Sequence, residues 1–370
     1  MKGTAMKNAL LIATVEGFFN FEKDNIKILQ DMGYVVHLAT NLDDVERPLD
    51  IPKIVKHQVN FARNPFSKTN LQAYKELYKI VEKQKFDLIH CHTPVGGVMG
   101  RIIGHKYHIK TIYTAHGFHF FKGASLKNWL LFYPIEKFLS RWTDILITIN
   151  QEDYKRAKRK LYAKNIEYIP GVGVDTASFQ NVYVDKKTKR EELGIDTEDF
   201  VFISVGELSV RKNHQVVIRA LAKIRNEKIK YLIVGSGELE NKLRMMVREL
   251  GLENKLIFAG YRKDVRELLH LSDAFVFPSL QEGLPVALME AMAVGLPVVC
   301  SDIRGNTDLI ENGKGGYMYN CHDVNGFAEG MKKIYQCSAN SKMRDINKKA
   351  IDKFKQSLVK EKMREIYTKG

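Results

Sequence analysis

At 370 residues the chain is too long for one ordinary hydrophobic core and suits two α/β domains. Its 45% hydrophobic and 27% charged content excludes a disordered chain, and apolar runs such as Ala9–Val15 and Ala274–Pro278 fall far short of the ~20 residues that a membrane-spanning helix needs. A net charge of +15 favours acidic partners, phosphorylated small molecules or an anionic membrane surface among them, and no nucleic-acid-binding motif accompanies it.

The first predicted element is a strand at Ala9–Thr14. A basic start precedes it, but the run ends in Glu16 and Gly17 without a small-residue cleavage site, so it reads as a strand and not an export signal. Gly17 stands in the loop that follows. A missing side chain there lets backbone approach a ligand, although a plain turn glycine reads the same way. Further strands are predicted at Val35–Thr40, Asp87–Cys91, Thr111–Ala115, Asp144–Ile149 and Glu167–Pro170, with a helix at Leu71–Glu82. His90 and His92 share one face of a strand by the two-residue period, and the sequence places no third ligand beside them, so no metal is expected. His116 ends a strand in the motif TAHG. Leu126–Trp142 mixes Trp, Phe, Tyr and Leu with Lys and Arg, as an interfacial helix does. Burial in a core accounts for that segment equally well, and Pro134 is expected to kink it. Cys91, Cys300, Cys321 and Cys337 form no C-x-x-C pair and read as reduced thiols of a cytoplasmic protein.

The polar stretch Phe179–Asp196 interrupts the alternation and sets the expected division into residues 1–180 and 181–350. Strands follow at Phe200–Val205, Tyr231–Val234, Leu256–Ala259, Ala274–Phe277 and Pro297–Cys300, with helices at His214–Arg225 and Leu239–Leu250. A C-terminal helix within 351–370 is expected to cross back onto the first domain. Strand–helix alternation implies parallel sheets with helices on both faces and ligands beyond the carboxyl ends of the strands. The motif IVGSGELE has Glu240 where a dinucleotide fingerprint needs its third glycine, which rejects an NAD site. No P-loop and no Asp-x-Asp pair occurs in the chain.

Residues 278–298, PSLQEGLPVALMEAMAVGLPV, carry the chemistry. A helix begins at Pro285, a residue tolerated in a first helical turn, and Gly295 and Pro297 end it. Val286, Met289, Glu290 and Ala293 share one face of that helix. A carboxylate in such a stripe is costly unless hydrogen-bonded, and sugar hydroxyls are suitable donors. Glu282 and Gly283 stand just ahead of the helix, whose free amides suit a diphosphate. The bland reading pairs a buried Glu290 with a basic residue and leaves Glu282 solvated.

The stretch EGLPVALMEAMAVGLPVV resembles the signature of the retaining glycosyltransferases of family 4, which have the GT-B fold. FISVGELSVRKNH, LIVGSGELE, FAGYRKDVRELLHLSDAFVFPS and IPGVGVDTASF fall in that family's order. IHCHTPVGGVMGR, TIYTAHGFHFFKG and NWLLFYPIEKFLSRWTDILITINQEDY are similar to its exopolysaccharide and capsule branch. The resemblance implies two Rossmann-like domains with parallel sheets facing a central cleft, acceptor side first and donor side second. It implies that Lys212 neutralises the donor diphosphate and that Glu282, with Gly283 and Leu284, contacts the donor sugar. Glu290 would hold the ribose hydroxyls, and Tyr261 and Arg262 would cradle the nucleobase, largely through main chain. Gly17 would lie against the phosphates, and His116 would hydrogen-bond the sugar or leaving phosphate. His90, His92 and His119 would line the acceptor side. Glu207 stands where an arginine usually follows the glycine matched by Gly206, which leaves Arg211 as a substitute. The implied reaction moves an N-acetylhexosamine or hexose from a UDP-sugar to a polyprenyl-diphosphate-linked saccharide. Retention of configuration, no cofactor, no metal, and a peripheral place at the inner face of the cytoplasmic membrane go with it. Two competing readings are a UDP-sugar 2-epimerase on the same fold and a non-catalytic sugar-nucleotide-binding protein.

Overall fold

A computed structural model describes residues 6–43, 49–337 and 340–369. The basic start read at residues 1–5, and residue 370 of the expected C-terminal helix, lie outside the described residues. The chain divides into two units, Met1–Val172 with Leu358–Gly370, and Gly173–Ser357.

Unit 1 holds seven strands: β1 (Lys7–Val15), β2 (Tyr34–Asn41), β3 (Ile54–Gln58), β4 (Leu88–Cys91), β5 (Lys110–Ala115), β6 (Ile145–Thr148) and β7 (Asn165–Tyr168). Their order is β3-β2-β1-β4-β5-β6-β7, and every pairing is parallel. β1 lies between β2 and β4, with Leu10 opposite His37 on one side and Ile89 on the other. Ala9 to Ala13 are all buried, as expected of a strand covered on both faces, and this produces the continuous apolar run in the sequence. The helix Pro94–Tyr107 packs closely on this sheet. A Cβ on Gly97 would lie 2.4 Å from the Tyr113 ring, and one on Gly100 would lie 2.6 Å from Cys91 Cβ.

Unit 2 holds β8 (Phe200–Val205), β9 (Ile229–Val234), β10 (Leu256–Gly260), β11 (Ala274–Phe277), β12 (Val298–Ser301) and β13 (Gly316–Tyr319), in the order β10-β9-β8-β11-β12-β13. These pairings are parallel too. Each sheet reverses its strand order once, between β1 and β4 in unit 1 and between β8 and β11 in unit 2. In such sheets the crevice outside the carboxyl ends at the reversal is where ligands bind. Both units are Rossmann-like, and the fold is GT-B. Two strands escaped the sequence reading, β3 and β13. Both are edge strands, and the residues of β3 are half-buried or exposed, so neither shows the apolar run that marks a central strand.

The division between units falls at Val172, ahead of the polar stretch Phe179–Asp196 read as the boundary. That stretch belongs to unit 2, and its polar residues are committed there. Arg190 is buried and donates to the carbonyls of Asp196, Thr197, Asp199 and Leu271 and to the Asp273 carboxylate. At the other end, the turn Ile351–Phe354 stays with unit 2, where Val174 bridges Lys355, and the chain enters unit 1 at Leu358. The helix Gln356–Thr368 buries Val359, Met363, Ile366 and Tyr367. No helix among the described residues is long and apolar enough to cross a membrane.

Candidate active site

In unit 2 the sites singled out in the sequence gather where the strand order reverses. β8 leads through Gly206 into a short turn, Val210–Lys212, and β11 leads into the loop that carries Glu282. Lys212 Nζ and Arg211 Nη1 each donate to Glu282 Oε1 at 2.8 Å. The Lys212 ammonium also lies 4.6 Å from the Phe277 ring centre. Burial pulls the Lys212 ammonium below its usual pKa, and Glu282 pulls the other way. The two loops are tied through backbone and side chain. Leu280 N–H donates to the Arg211 carbonyl, and Asn213 Nδ2 donates to the carbonyls of Pro278 and Cys321. Asn213 adopts a left-handed conformation (φ 54°), which asparagine tolerates better than most residues. Arg304 Nε reaches the Glu282 carbonyl at 3.1 Å. Backbone closes on backbone beside them, since a Cβ on Gly235 would lie 1.9 Å from the Gly206 carbonyl oxygen. Arg211 is thus the second cation on Glu282, and the Glu207 carboxylate acts on Lys212 by its charge without a hydrogen bond to it.

The helix after Glu282 runs from Val286 to Val294 and ends at Gly295 (φ 91°). Pro285 occupies its N-cap and offers no side-chain acceptor to the first-turn amides. The single apolar stripe expected on this helix is corrected. Leu288, Met289, Ala291, Met292, Ala293 and Val294 are all buried, so the helix is packed on nearly every side. Val286, Ala287 and Glu290 form the half-exposed remainder. Among the described residues none hydrogen-bonds the Glu290 carboxylate. Burial pushes its pKa up to about 7, against the opposing pull of the Arg266 charge. Glu282 is not merely solvated, and Glu290 feels the charge of Arg266 without a hydrogen bond to it.

Tyr261 is exposed just beyond β10. The Arg262 side chain is committed elsewhere. It donates to Asp264 and Glu192, and Lys189 joins the same network through Asp264 and Glu267. What Arg262 can offer a nucleobase is therefore its main chain.

In unit 1 the loops after β1, β4 and β5 bring Glu22, His92 and His116 together. His92 Nδ1 and His116 Nε2 are 3.2 Å apart, and Glu22 Oε1 lies 3.6 Å from the first and 3.7 Å from the second. Glu22 is the N-cap residue of the helix Lys23–Asp31, and its other oxygen accepts from Asn25 Nδ2. Phe18 packs edge-on against the His116 ring. Burial raises the Glu22 pKa to about 8 and lowers that of His116 to about 4. His92, buried beside His90 and His116, is pushed well below its usual value.

His90 does not line an acceptor surface. It is fully buried, its Nδ1 is 2.8 Å from Tyr367 Oη, and its Nε2 is 2.8 Å from Thr114 Oγ1. Both ring nitrogens are spent inside the unit, tying β4 to β5 and to the last helix. His119 stacks on Phe132, with ring centres 4.4 Å apart. Gly17 lies in a turn where an added Cβ would meet nothing within 4 Å, so no contact inside the protein demands glycine there.

Comparison with known proteins decides the family. Residues 185–353 match the family described as glycosyl transferases group 1, and residues 9–150 match glycosyl transferase 4-like. The putative glycosyltransferase EpsD of Bacillus subtilis is 35% identical over 98% of this chain and 96% of its own length. The chain is a group 1 glycosyltransferase. An Escherichia coli relative, UDP-Gal:alpha-D-GlcNAc-diphosphoundecaprenol alpha-1,3-galactosyltransferase, is 31% identical to the glycosyltransferase over 80% of its chain and 77% of the relative's. The fold is shared with Anabaena HepE, solved in complex with UDP and glucose, at a TM-score of 0.79 and 18% identity, covering 98% of this chain and 99% of that one.

Three groups in this glycosyltransferase lay beyond sequence reasoning. Glu22 had one signal, a lone carboxylate in the aromatic turn FFNFE after the first strand. Asn213 and Arg304 had none, because their partners stand 65 and 22 residues away in the chain.

Proposed function

We propose that this glycosyltransferase transfers an N-acetylhexosamine or hexose from a UDP-sugar to a lipid-linked saccharide, with retention of anomeric configuration and no metal at the diphosphate. One observation carries the reading. Two cations, Lys212 and Arg211, converge on a single carboxylate oxygen beside an uncapped helix start. A diphosphate can exchange places with that carboxylate and meet both cations and the first-turn amides. The freed Glu282 then accepts hydroxyls of the sugar, and Glu290, which no described residue hydrogen-bonds, accepts those of the ribose. In the reaction the bond from the anomeric carbon to the phosphate oxygen breaks. The acceptor oxygen bonds that carbon on the same face, and its proton passes to the departing phosphate. Cations and amides already aimed at the leaving group stabilise the charge that develops there. Glu282 binds and polarises; it is not the nucleophile. The E. coli relative, by its name, takes UDP-galactose and a diphosphoundecaprenol-linked sugar, which supports the donor and acceptor classes.

A membrane-linked acceptor also suits the helix Leu126–Leu139. Leu126, Leu130, Pro134 and Phe138 recur every four residues on it and are all exposed. Lys122, Lys127 and Arg141 are exposed nearby. Peripheral contact with an anionic membrane surface follows from that pairing. Replacing Leu126 and Leu130 together with aspartate is expected to weaken cosedimentation with anionic-lipid vesicles by at least about tenfold. Unchanged binding to vesicles removes the membrane reading.

The donor site is tested by thermal stabilisation with UDP, GDP and CMP in the presence of EDTA. UDP is expected to stabilise the wild type, and Glu290→Ala to lose that response while staying folded. The pH dependence has a defined sign. With its folded pKa at about 7, above the usual carboxylate value, Glu290 favours the folded state at low pH and loses that contribution as pH rises through about 7. Ribose hydroxyls need the ionised form, so UDP affinity is expected to fall about tenfold from pH 8 to pH 6. In Glu290→Gln, which keeps every other titrating group, that tenfold dependence is expected to shrink. Equal pH profiles for the two proteins would refute the ribose assignment.

A further inference from the structure

The two central strands of unit 2 part company beyond Ile203. β8 and β11 are in register at Phe202 with Ala274 and at Ile203 with Phe275, and no further, although β8 continues beside β9 to Val205. Side chains take over where the backbone ladder stops. Ser204 Oγ donates to the Val276 carbonyl, and Asn213 Nδ2 donates to the Pro278 carbonyl two residues on. Ser204 is held in turn from behind. It accepts from Tyr231 Oη at 2.8 Å, and Tyr231 Oη lies 3.0 Å from His214 Nδ1. His214, Tyr231 and Ser204 are all buried. The hydrogens of this chain have one arrangement. A carbonyl only accepts, so the Ser204 hydroxyl gives its hydrogen to Val276 and the Tyr231 hydroxyl gives its own to Ser204. The hydrogen between Tyr231 and His214 therefore sits on Nδ1. Burial, joined by the nearby charge of Lys212, keeps the imidazole neutral, with its pKa lowered to about 4. His214 opens the helix His214–Ala222 directly after Lys212 and Asn213.

From this chain of bonds we propose that His214, Tyr231 and Ser204 are positioning residues for sugar transfer, fixing where the turn with Arg211 and Lys212 stands against the strand that delivers Glu282. The inference rests on the reading that these two cations receive the donor diphosphate. The segment after Lys212 is fastened to the end of β11 twice, by Asn213 directly and by His214 through two hydroxyls. Drawing the two loops apart breaks both ties. When a diphosphate displaces the Glu282 carboxylate, side chains turn and the loops stay in place. The cations remain aimed at the leaving group, and preorganisation of that kind acts on the chemical step more than on binding. The sequence hid the chain because Ser204 and Tyr231 read as ordinary strand residues and His214 as the first residue of a helix.

The test separates the chemical step from binding. UDP release from UDP-N-acetylglucosamine, UDP-galactose and UDP-glucose gives kcat with the donor turned over fastest, and calorimetry gives UDP affinity. Tyr231→Phe deletes the middle hydroxyl and keeps the ring. It is expected to lower kcat by about 10- to 100-fold, the effect of a misplacement near 1 Å, while UDP affinity stays within about threefold of the wild type. His214→Ala should match it, and the double variant should lose no more than the worse single one, because links of one chain fail together. Asparagine can place an N–H near the position of Nδ1, and glutamine near that of Nε2. His214→Asn is therefore expected to keep most of the wild-type kcat, and His214→Gln to fall with His214→Ala. Near-UV circular dichroism checks that each variant is folded at the assay temperature. A folded Tyr231→Phe enzyme with wild-type kcat, losses that add in the double variant, or equal kcat in His214→Asn and His214→Gln each overturn the proposal. Lys212→Met, assayed alongside, tells the two readings apart. A slow Lys212→Met beside a fast Tyr231→Phe removes the positioning chain alone, whereas a fast Lys212→Met removes the donor reading and this proposal with it.

Discussion

Replacing Lys212 with methionine is expected to lower the turnover of sugar transfer by about 100- to 1,000-fold, the range seen when one preorganised charge-stabilising group is removed. Methionine keeps much of the side-chain length and loses the ammonium. The folded protein should tolerate the change, because Glu282 keeps a 2.8 Å bond from Arg211 when Lys212 is gone. Breaking a buried ion pair is ordinarily severe because it strands a charge, and the second cation prevents that here. Lys212→Arg should recover only part of the loss. A guanidinium restores the charge but replaces a compact point charge with a planar fork. The measurement is UDP release from a panel of UDP-sugars, read with and without acceptor, beside the melting temperature. A folded Lys212→Met enzyme that turns over within threefold of the wild type would remove Lys212 from the catalytic set.

The second large effect is on stability, in unit 1. Arg101 is fully buried and grips Glu136 through two bonds, Nη1 to Oε2 at 2.7 Å and Nη2 to Oε1 at 3.1 Å. Its Nε donates to the Gly97 carbonyl, and the guanidinium stacks 4.0 Å from the Tyr113 ring centre. The clamp joins the helix Pro94–Tyr107 to the helix Leu126–Leu139 over β5. Glu136→Ala leaves an unpaired guanidinium in the core and is expected to cost about 3–5 kcal/mol. Arg101→Met with Glu136→Leu, which replaces both charges by apolar groups, should cost clearly less than Glu136→Ala alone. Both tryptophans of the chain, Trp129 and Trp142, lie in unit 1, so urea unfolding followed by tryptophan fluorescence reads this unit. A Glu136→Ala transition within about 1 kcal/mol of the wild type would show that the pair contributes no more than an exposed one.

What the sequence disclosed follows from where each residue sits. β1, β4, β8 and β11 lie at the centres of their sheets and are covered on both faces, so each appeared as an apolar run. β3 and β13 lie at edges, where no such run is required. The segment 278–298 could be read because its strand, turn, helix and stop are all local. The meeting of Lys212 with Glu282 could not, because it needs two loops 70 residues apart to lie at the ends of strands β8 and β11, which are neighbours in the sheet but not in the chain. His90 and His92 illustrate the limit of the two-residue period. The period correctly puts both rings on one face, 4.2 Å apart between centres. It says nothing of the Tyr367 hydroxyl that occupies one of them, 277 residues later. The polar stretch at Phe179–Asp196 was misleading because charge in a sequence does not distinguish a linker from a segment held by ion pairs.

Glu282 has one more consequence. It is the counter-ion of Lys212 and Arg211. In the proposed donor site, arrival of a phosphate would be a substitution of one anion for another. With Glu282 paired to them, the two cations attract stray anions less than their positive charges alone would. Selectivity among anions then rests on whether the newcomer also gives the displaced carboxylate something to hold. A hydroxyl on a sugar joined to that phosphate would do this.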